Sequence, residues 1–253
     1  MNTNSAQSAH DAGVCEFCGK RLEEGSHPVL AGFDSNGKAI KKYRTYFKSC
    51  NCEGALAAKR KCYELDHADQ ERRLKESYDR AGIPKRFWDA DDKDDTRLIS
   101  KLKGGQGLFF TGLPGRGKTY MACSIARKFI AEGYTVRFCD IESLEREVKS
   151  AWSSRTMSER DVIDKYVKAS LTIIDDLGAE ELTPMTMKVL RAVISGREAY
   201  AGVTIITSNY DRKEFAQHLA AETDDIKAQR IASRVSGMTE VIRFNGPDRR
   251  LSR

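Results

Sequence analysis

The sequence predicts an α/β fold in which a parallel sheet is flanked by helices and preceded by a small separate domain. From about residue 85 onward, short apolar runs of strand length alternate with longer intervals of helical spacing, which is typical of a parallel sheet covered on both faces. A glycine-rich segment follows the first of these runs directly. Four of the seven cysteines form two close pairs within the first 52 residues, where the chain is too short to build a sizeable core.

Composition is that of a soluble globular protein, with 40% hydrophobic and 32% charged residues among 253. The opening segment is polar, and no apolar run approaches the roughly 20 residues of a membrane helix. We therefore expect a cytoplasmic protein without a membrane partner. The net charge of +6 permits contact with nucleic acid without indicating it. A reducing cytosol argues against disulfides.

Changes in composition divide the chain into four regions. Residues 1–12 are polar and without periodicity, so we predict that they are disordered. Residues 13–53 contain the cysteine pairs. Residues 54–84 are predicted as one long helix with a sparse apolar stripe, which indicates an exposed connector or a partner-binding helix. Residues 85–253 carry the α/β pattern.

The cysteine pairs indicate a zinc-binding knuckle in residues 13–53. Cys15 and Cys18 form a C-x-x-C-G turn, and Cys50 and Cys52 supply a second pair, so that together they could form a tetrahedral Cys₄ zinc site. The second pair is C-x-C, which is less usual, and the interval between the pairs is long. Free buried cysteines therefore stay an alternative, with His27 as a substitute ligand if one cysteine fails. The other cysteines are interpreted as packing residues: Cys62, Cys123 and Cys139.

Five apolar runs are predicted as the strands of the sheet, and ligands of such sheets bind at the carboxyl ends of the strands. The runs are Gly107–Thr111, Thr135–Cys139, Leu171–Asp176, Val203–Ser208 and Val241–Phe244. Two of the intervals carry clear helical spacing, at Thr119–Ala131 and Thr186–Tyr200.

A phosphate-binding loop follows the first strand. Residues 112–119 read G-L-P-G-R-G-K-T and match G-x-x-x-x-G-K-[ST] in full, between a strand and a helix pattern. Its glycines let backbone N–H groups surround phosphate oxygens, Lys118 reaches the outer phosphates, and the Thr119 hydroxyl ligates Mg²⁺. We therefore predict ATP and Mg²⁺ as cofactors, with these nucleotide-binding residues: Gly112, Leu113, Pro114, Gly115, Arg116, Gly117, Lys118, Thr119 and Tyr120.

Two adjacent acids end the third predicted strand, in the stretch L-T-I-I-D-D-L-G-A-E. Asp175 is predicted to bind Mg²⁺, usually through water, and Asp176 to orient the attacking water, since strand alternation directs neighbouring side chains differently. Alternatively, the acids merely cap the strand, or Glu180 is the base. The second acid of such strands is commonly Glu, so the shorter Asp176 leads us to expect slow hydrolysis that DNA or a partner stimulates.

Two further polar side chains complete the predicted site. Asn209 ends the next strand, where its amide could bond the γ-phosphate or the water, although an Asn after a strand is often only a turn residue. Arg230 and Arg234 lie four residues apart on one helical face. This face is either a solvated basic surface or the position from which Arg234 projects into the nucleotide of a neighbouring subunit, which requires an oligomer.

In order, the motifs G-L-P-G-R-G-K-T, I-I-D-D-L-G-A-E, I-I-T-S-N, R-I-A-S-R-V and I-R-F-N-G-P-D-R-R resemble those of the AAA+ ATPases of the DnaC/DnaI helicase-loader and IstB transposition-helper group. The resemblance covers about residues 80–253 and includes the leading segment A-G-I-P-K-R-F. It implies an AAA+ domain with no or minimal C-terminal lid. It also implies a metal-site role for Asp175, a base-like role for Asp176, a sensor-one role for Asn209 and an arginine-finger role for Arg234.

The resemblance also implies a contact with single-stranded DNA. It implies that residues 137–168 contain the extra helical element with which initiator-type ATPases line a channel for single-stranded DNA. The sequence itself shows only a charged helical region, so an ordinary solvated face is the alternative. The candidate phosphate contacts are Lys149, Arg155, Arg160, Lys165 and Lys168.

Three functions are compatible with these features. The leading hypothesis is an ATP-dependent loader that places a hexameric DnaB-type replicative helicase onto single-stranded DNA, with the zinc region and connector helix gripping the helicase. The second is an IstB-like helper of a DNA transposase that acts on duplex DNA. The third is a nucleotide-gated adaptor with negligible turnover. An evident partner-binding module at residues 13–84 favours the loader.

Overall fold

The computed structural model describes residues 13–33, 39–179, 183–222 and 225–249. Its contacts divide the chain into two compact units, Met1–Arg72 and Arg73–Arg253. The segment 1–12, which we predict to be disordered, lies outside the described residues.

The first unit contains a hairpin and the start of a long helix. Strand β1 (Glu24–Phe33) pairs antiparallel with β2 (Ala39–Phe47), with a register shift between Leu30 and Gly32. Helix α1 (Glu53–Ala81) follows, close to the predicted bounds of the connector. It ends at Gly82, whose φ of +84° is readily adopted only by glycine, and the N–H of Ile83 closes the end on the Tyr78 carbonyl at 3.0 Å.

The second unit alternates strands and helices along the chain. After a 3₁₀ turn at Lys85–Phe87, its elements are α2 (Asp95–Lys103), β3 (Gly107–Thr111), α3 (Lys118–Ala131), β4 (Val136–Asp140), α4 (Ile141–Trp152), α5 (Glu159–Lys168), β5 (Leu171–Asp175), α6 (Pro184–Ala199), β6 (Val203–Ser208), α7 (Arg212–Glu222), α8 (Asp225–Met238) and β7 (Thr239–Arg243). Within the described residues, no helix is both long enough and apolar enough to cross a bilayer.

The five strands of this unit form one parallel sheet in the order β4-β5-β6-β3-β7. The predicted parallel sheet is thus confirmed. Two strands have the predicted bounds, and the last begins at Thr239, two residues before the predicted start. The order places β6 between β3, which precedes the phosphate loop, and β5, which precedes the paired acids.

Helices cover both faces of the sheet. Successive side chains along a strand point to opposite faces, so each strand packs against helices on both sides. In β3, Leu108 and Phe110 pack with α3, while Phe109 between them packs with the helices of the other face. In β5, Ile173 and Ile174 divide in the same way. The second unit therefore has three layers, and the carboxyl ends of its five strands meet at one edge.

Polar residues set where several helices begin. The Asp140 carboxylate accepts the N–H of Ser143 at 2.6 Å and starts α4 at the end of β4. Ser158 and Asp161 form a reciprocal capping box at the start of α5. These caps satisfy backbone N–H groups that a helix leaves without an internal partner.

A buried arginine joins elements at the opposite edge, where β5 and β6 begin. The Arg197 guanidinium donates to the Val167 carbonyl at 2.8 Å and also to the carbonyls of Ala169 and Val203. Burial lowers its pKa to about 10, so the group stays charged at neutral pH. A Cβ at Gly202 would stand 2.3 Å from its Cζ, so this turn needs a glycine.

Candidate functional site

The phosphate loop lies at the carboxyl end of β3 and leads directly into α3. Gly117, at φ +93°, adopts the left-handed conformation that lets α3 start at Lys118. The Lys118 side chain is buried, and its Nζ donates to the carbonyls of Gly112 and Leu113 at 2.6 and 3.1 Å. A cation and the positive end of a helix therefore face the same space, which favours an anion there.

Asn209, just beyond β6, bonds one residue that follows β3 and one residue that follows β5. Its Oδ1 accepts from Lys118 Nζ at 2.8 Å, and its Nδ2 donates to Asp176 Oδ1 at 3.1 Å. The strands that precede these partners along the chain, β3 and β5, are not neighbours in the sheet, because β6 lies between them. One amide thus connects the lysine of the loop with the second acid.

Asp175 is held by two hydroxyl groups. Its Oδ1 accepts from Thr119 Oγ1 at 2.9 Å and from Thr207 Oγ1 at 2.7 Å. The Thr207 oxygen in turn accepts the backbone N–H of Asp176 at 2.8 Å. The Thr119 hydroxyl of the loop and the first acid therefore lie side by side.

Burial raises the pKa of Asp175 above the usual carboxyl value. The hydroxyls of Thr207 and Thr119 oppose this by stabilising the charged form, whereas the neighbouring Asp176 and Asp140 raise the pKa further. A bound divalent cation would relieve the same unfavourable charge. The surroundings of the Asp175 carboxylate would therefore favour a bound cation.

Asp176 is directed by an unusual backbone conformation. We expected the strand to include it, but β5 ends at Asp175, and Asp176 has a left-handed φ of +51°. The different directions of the two acids therefore come from this turn of the backbone as well as from strand alternation. Glu180, the alternative base, lies outside the described residues.

A cavity of about 820 Å³ opens at this edge of the sheet. Asp176 and Asn209 line it, together with seven of the nine predicted nucleotide-binding residues. The remaining two, Gly112 and Leu113, begin the loop, where their carbonyls bond Lys118. The cavity is of the size that a small-molecule site has.

Sequence reasoning missed several residues of this site. Arg86, Phe87, Asp92 and Arg249 line the cavity, and Thr207 joins the two acids. Arg86 and Arg249 belong to the segments A-G-I-P-K-R-F and I-R-F-N-G-P-D-R-R, in which we had assigned no individual role. The resemblance of these two segments to the family is the only feature of the sequence that could have indicated Arg86 and Arg249.

Arg234 lies away from the cavity. It is in α8, and its Nε donates to Glu198 Oε2 at 2.7 Å near the end of α6. Helix α6 follows β5 and runs back across the sheet, so its last turn lies toward the amino ends of the strands. Arg234 is not among the described residues that line the cavity.

The predicted extra helical element corresponds to α4 and α5. Three of its candidate basic residues pair with acids: Lys149 with Glu145, Lys165 with Glu147 and Lys168 with Asp164, at 2.5, 2.9 and 2.8 Å. Arg155 and Arg160 are exposed and form no ion pair with any residue of the described chain.

In the first unit, four cysteines come together as the sequence suggests. The Cys15 and Cys52 sulfurs lie 3.7 Å apart, the Cys18 and Cys50 sulfurs 3.6 Å apart, and all four lie within 4.8 Å of one another. The sulfurs of a tetrahedral site with zinc–sulfur bonds of about 2.3 Å stand about 3.8 Å apart. The cluster therefore fits zinc. His27 is exposed on β1 and is not part of this cluster.

The surroundings of the thiols favour one negative charge but not several. The backbone N–H of Phe17 is the main influence that lowers the pKa of Cys15 to about 7. The N–H of Lys20 has the same effect on Cys18, but desolvation and the neighbouring thiols outweigh it and raise that pKa to about 11. Several thiolates in one place require a cation, and zinc supplies it.

The sequence of the second unit decides the family. Residues 82–253 match the family described as IstB-like ATP binding protein. The chain belongs to this family. Its sheet, helices and phosphate loop are those of an AAA+ ATP-binding domain, so the predicted fold class and the predicted ATP cofactor are confirmed.

Two curated relatives and one solved structure illustrate the relationships. The chain is 25% identical to the replicative helicase loader DnaI of Bacillus subtilis, over 93% of this chain and 78% of that protein. It is 29% identical to a putative ATP-binding protein of insertion sequence IS5376 from Geobacillus stearothermophilus, over 60% of this chain and 59% of that protein. A crystal structure of DnaI superposes with a TM-score of 0.55 at 25% identity, over 64% of this chain and 95% of that one.

We predict that the purified protein contains about one zinc ion per chain and that replacing Cys15 and Cys18 together by Ser removes it, because two of four ligands are lost. Elemental analysis measures the ratio. Cys62→Ser is the matched control, since Cys62 is exposed on α1 and outside the cluster. A folded first unit without metal would contradict the assignment.

We predict that Asp175→Asn raises the unfolding temperature of the nucleotide-free protein by roughly 2–4 °C, the shift that about 1 kcal/mol gives in a domain of this size. The amide keeps an acceptor for Thr119 and Thr207 and removes a buried charge. The difference from wild type should shrink as pH falls through the raised pKa of Asp175, because the wild-type carboxyl is then neutral too.

Asp176→Asn is the control for this measurement, because Asp176 is exposed and its charge is already solvated. It should leave the unfolding temperature nearly unchanged. A lower unfolding temperature for Asp175→Asn would show that the charge stabilises the fold.

Proposed function

We propose that this protein is an ATP-dependent loader that places a hexameric replicative helicase onto single-stranded DNA and that it hydrolyses ATP within an oligomer. This proposal rests mainly on how much of the chain aligns with the DnaI loader. That alignment leaves about 7% of the chain uncovered, or about 18 of 253 residues. It must therefore include most of the residues that precede the family match at residue 82.

The alternative is a helper of a DNA transposase. The family description and the IS5376 relative, which has the higher identity, favour it. However, that alignment covers only 60% of the chain, so about 101 residues lie outside it. A region shared with a helicase loader and not covered by the insertion-sequence protein supports the loader.

In the proposed mechanism, Thr119 and Asp175 hold Mg²⁺, with Asp175 acting directly or through water. Their oxygens lie 2.9 Å apart, and neighbouring ligands of an octahedral Mg²⁺ with bonds of about 2.1 Å stand about 3.0 Å apart. The spacing therefore fits the ion. Bound Mg²⁺ would neutralise charge that develops on the phosphates.

Lys118, Asn209 and Asp176 would perform the remaining steps. Lys118 exchanges its carbonyl and amide acceptors for phosphate oxygens, which frees Asn209 Oδ1. Asn209 still holds Asp176, which accepts a proton from the attacking water or orients it. The carboxylate is one methylene shorter than that of Glu, so slow, stimulated hydrolysis is expected.

Arg234 would complete the site of a neighbouring subunit. Its bond to Glu198 near the end of α6, and its position outside the described lining of its own cavity, support a role in the site of a neighbouring subunit. An exposed ion pair such as Arg234–Glu198 contributes little stability, so it can be exchanged for a phosphate at modest cost.

The end of α4 and the loop that follows it support binding of single-stranded DNA. Trp152 is 61% exposed and borders a shallow groove together with the exposed Arg155. An exposed indole beside a free guanidinium suits unpaired bases, which stack on aromatic rings while arginine binds phosphate. Duplex DNA offers no free base faces for such stacking.

The first unit would grip the helicase. Helix α1 exposes Tyr63 and Leu65 by 65% and 62%, and β2 exposes Tyr43 by 70%. Large side chains of this kind are common in protein interfaces. The zinc site would fix the turn from which α1 starts.

We predict that Lys118→Ala abolishes nucleotide binding, since the cation that faces the phosphates is lost, whereas Asp176→Asn retains binding and loses hydrolysis. Titration with fluorescent ATP and a phosphate-release assay with single-stranded DNA and the partner present separate the two effects. Wild-type protein that binds ATP without turnover under these conditions would favour the adaptor.

We predict that Arg234→Ala loses hydrolysis by roughly 10³-fold or more. Mixing it with Asp176→Asn subunits in equal amounts should restore roughly a quarter of the wild-type sites, because some interfaces then combine an intact Asp176 with a neighbour's intact Arg234. Mixed oligomers that form without recovered activity would exclude action in trans.

We predict that the tagged protein retains the DnaB-type helicase of its host and that the Cys15→Ser, Cys18→Ser variant does not, because its first unit is no longer held together. Purified helicase and purified transposase are tested separately. Retention of the transposase alone would establish the alternative, and retention of neither would reject both partners.

A further inference from the structure

The chain beyond β7 returns along the phosphate loop. The N–H of Phe244 donates to the Thr111 carbonyl at 2.8 Å, and the N–H of Arg249 donates to the Gly115 carbonyl at 2.9 Å. We call residues 244–249 the C-terminal strap. These two bonds fix the strap to the start and to the middle of the loop.

Close contacts show that the strap and the loop fit each other. A Cβ at Gly115 would stand 2.1 Å from Asp248 Oδ1, and one at Gly117 would stand 3.1 Å from the Arg249 side chain. Both glycines also have left-handed φ values, of +77° and +93°. The guanidinium of Arg249 is therefore held over the glycine that precedes Lys118.

Asp92 anchors this guanidinium. Its Oδ2 accepts from Arg249 Nη1 at 3.1 Å, and its backbone N–H donates to Ser124 Oγ on α3 at 2.8 Å. Asp92 is only 8% exposed, so its position is well determined by its surroundings. The strap arginine is thus tied through Asp92 to the helix that Lys118 begins.

Arginine has five N–H donors, and the bond to Asp92 uses one nitrogen. Arg249 lines the cavity that Lys118, Thr119 and Asp176 also line. Its side chain is 53% exposed, so the remaining donors are accessible from the cavity. A planar guanidinium with free donors beside a phosphate loop is suited to a phosphate group.

We propose that Arg249 is a further nucleotide-binding residue, which contacts the phosphate chain of a nucleoside di- or triphosphate while Asp92 positions it. This assignment rests on the proposed function, because it adds a residue to the same nucleotide site. The same subunit thereby supplies a second cation, from the end of the described chain, to the phosphates that Lys118 binds.

The test measures the affinity of the full-length protein for fluorescent ADP and ATP in the presence of Mg²⁺. Arg249→Gln should weaken both by roughly 10- to 100-fold, as expected for the loss of charge-assisted hydrogen bonds. Arg249→Lys keeps the charge without the planar fork and should lie between wild type and Arg249→Gln. Arg191→Gln removes one positive charge at an exposed position of α6 outside the cavity and should bind like wild type.

Thermal unfolding without nucleotide separates this role from a purely structural latch. If Arg249 only holds the strap, Arg249→Gln lowers the unfolding temperature but binds both nucleotides with wild-type affinity, and the inference is overturned. Failure of the wild-type protein to bind either nucleotide would instead reject the proposed function. Affinity loss in Arg249→Gln with the Arg191→Gln control unchanged supports the inference.

Discussion

Strand β6 separates the phosphate loop from the paired acids, and its polar end joins these two halves of the site, in addition to one direct bond from Thr119 to Asp175. Asn209 bonds Lys118 on one side and Asp176 on the other, while Thr207 bonds Asp175 and the backbone of Asp176. A phosphate that attracts Lys118 therefore changes the partners of Asn209 and, through it, the surroundings of Asp176. The strand order of the sheet thus couples the anion site to the acid.

Arg197 and Asp175 are charged side chains at opposite edges of the sheet, and they differ in how fully hydrogen bonds satisfy their charge. Arg197 donates to several carbonyls and to a hydroxyl, so its buried charge is satisfied within the fold. Asp175 has only two hydroxyl donors, and burial, together with the neighbouring carboxylates of Asp176 and Asp140, raises its pKa. Arg197 needs no ligand, whereas a bound cation would offset the buried charge of Asp175 in the proposed site.

The fold and the centre of the site could be predicted because their signals are local. Apolar runs located the strands, and the loop motif and the acids are contiguous in the sequence. Thr207 was missed because a threonine inside an apolar strand has no pattern that marks it as a bridge. The pair of Asp92 with Arg249 joins residues 157 positions apart, and only folding brings them together. The left-handed turn at Asp176 was missed as well, because the apolar strand pattern continues up to the paired acids and does not mark where the strand ends.

The left-handed backbone at Asp176 bears on why aspartate and not glutamate occupies this position, since either carboxylate could act on a water molecule. Outside glycine, left-handed backbone is most accessible to asparagine and aspartate, whose short polar side chains tolerate it. Glutamate at φ +51° would be strained, so the backbone at the end of β5 selects the shorter acid. An aspartate at this position therefore reports the shape of the main chain. Classifying a relative as inactive because it lacks glutamate here would mistake a conformational constraint for the decay of a catalytic site.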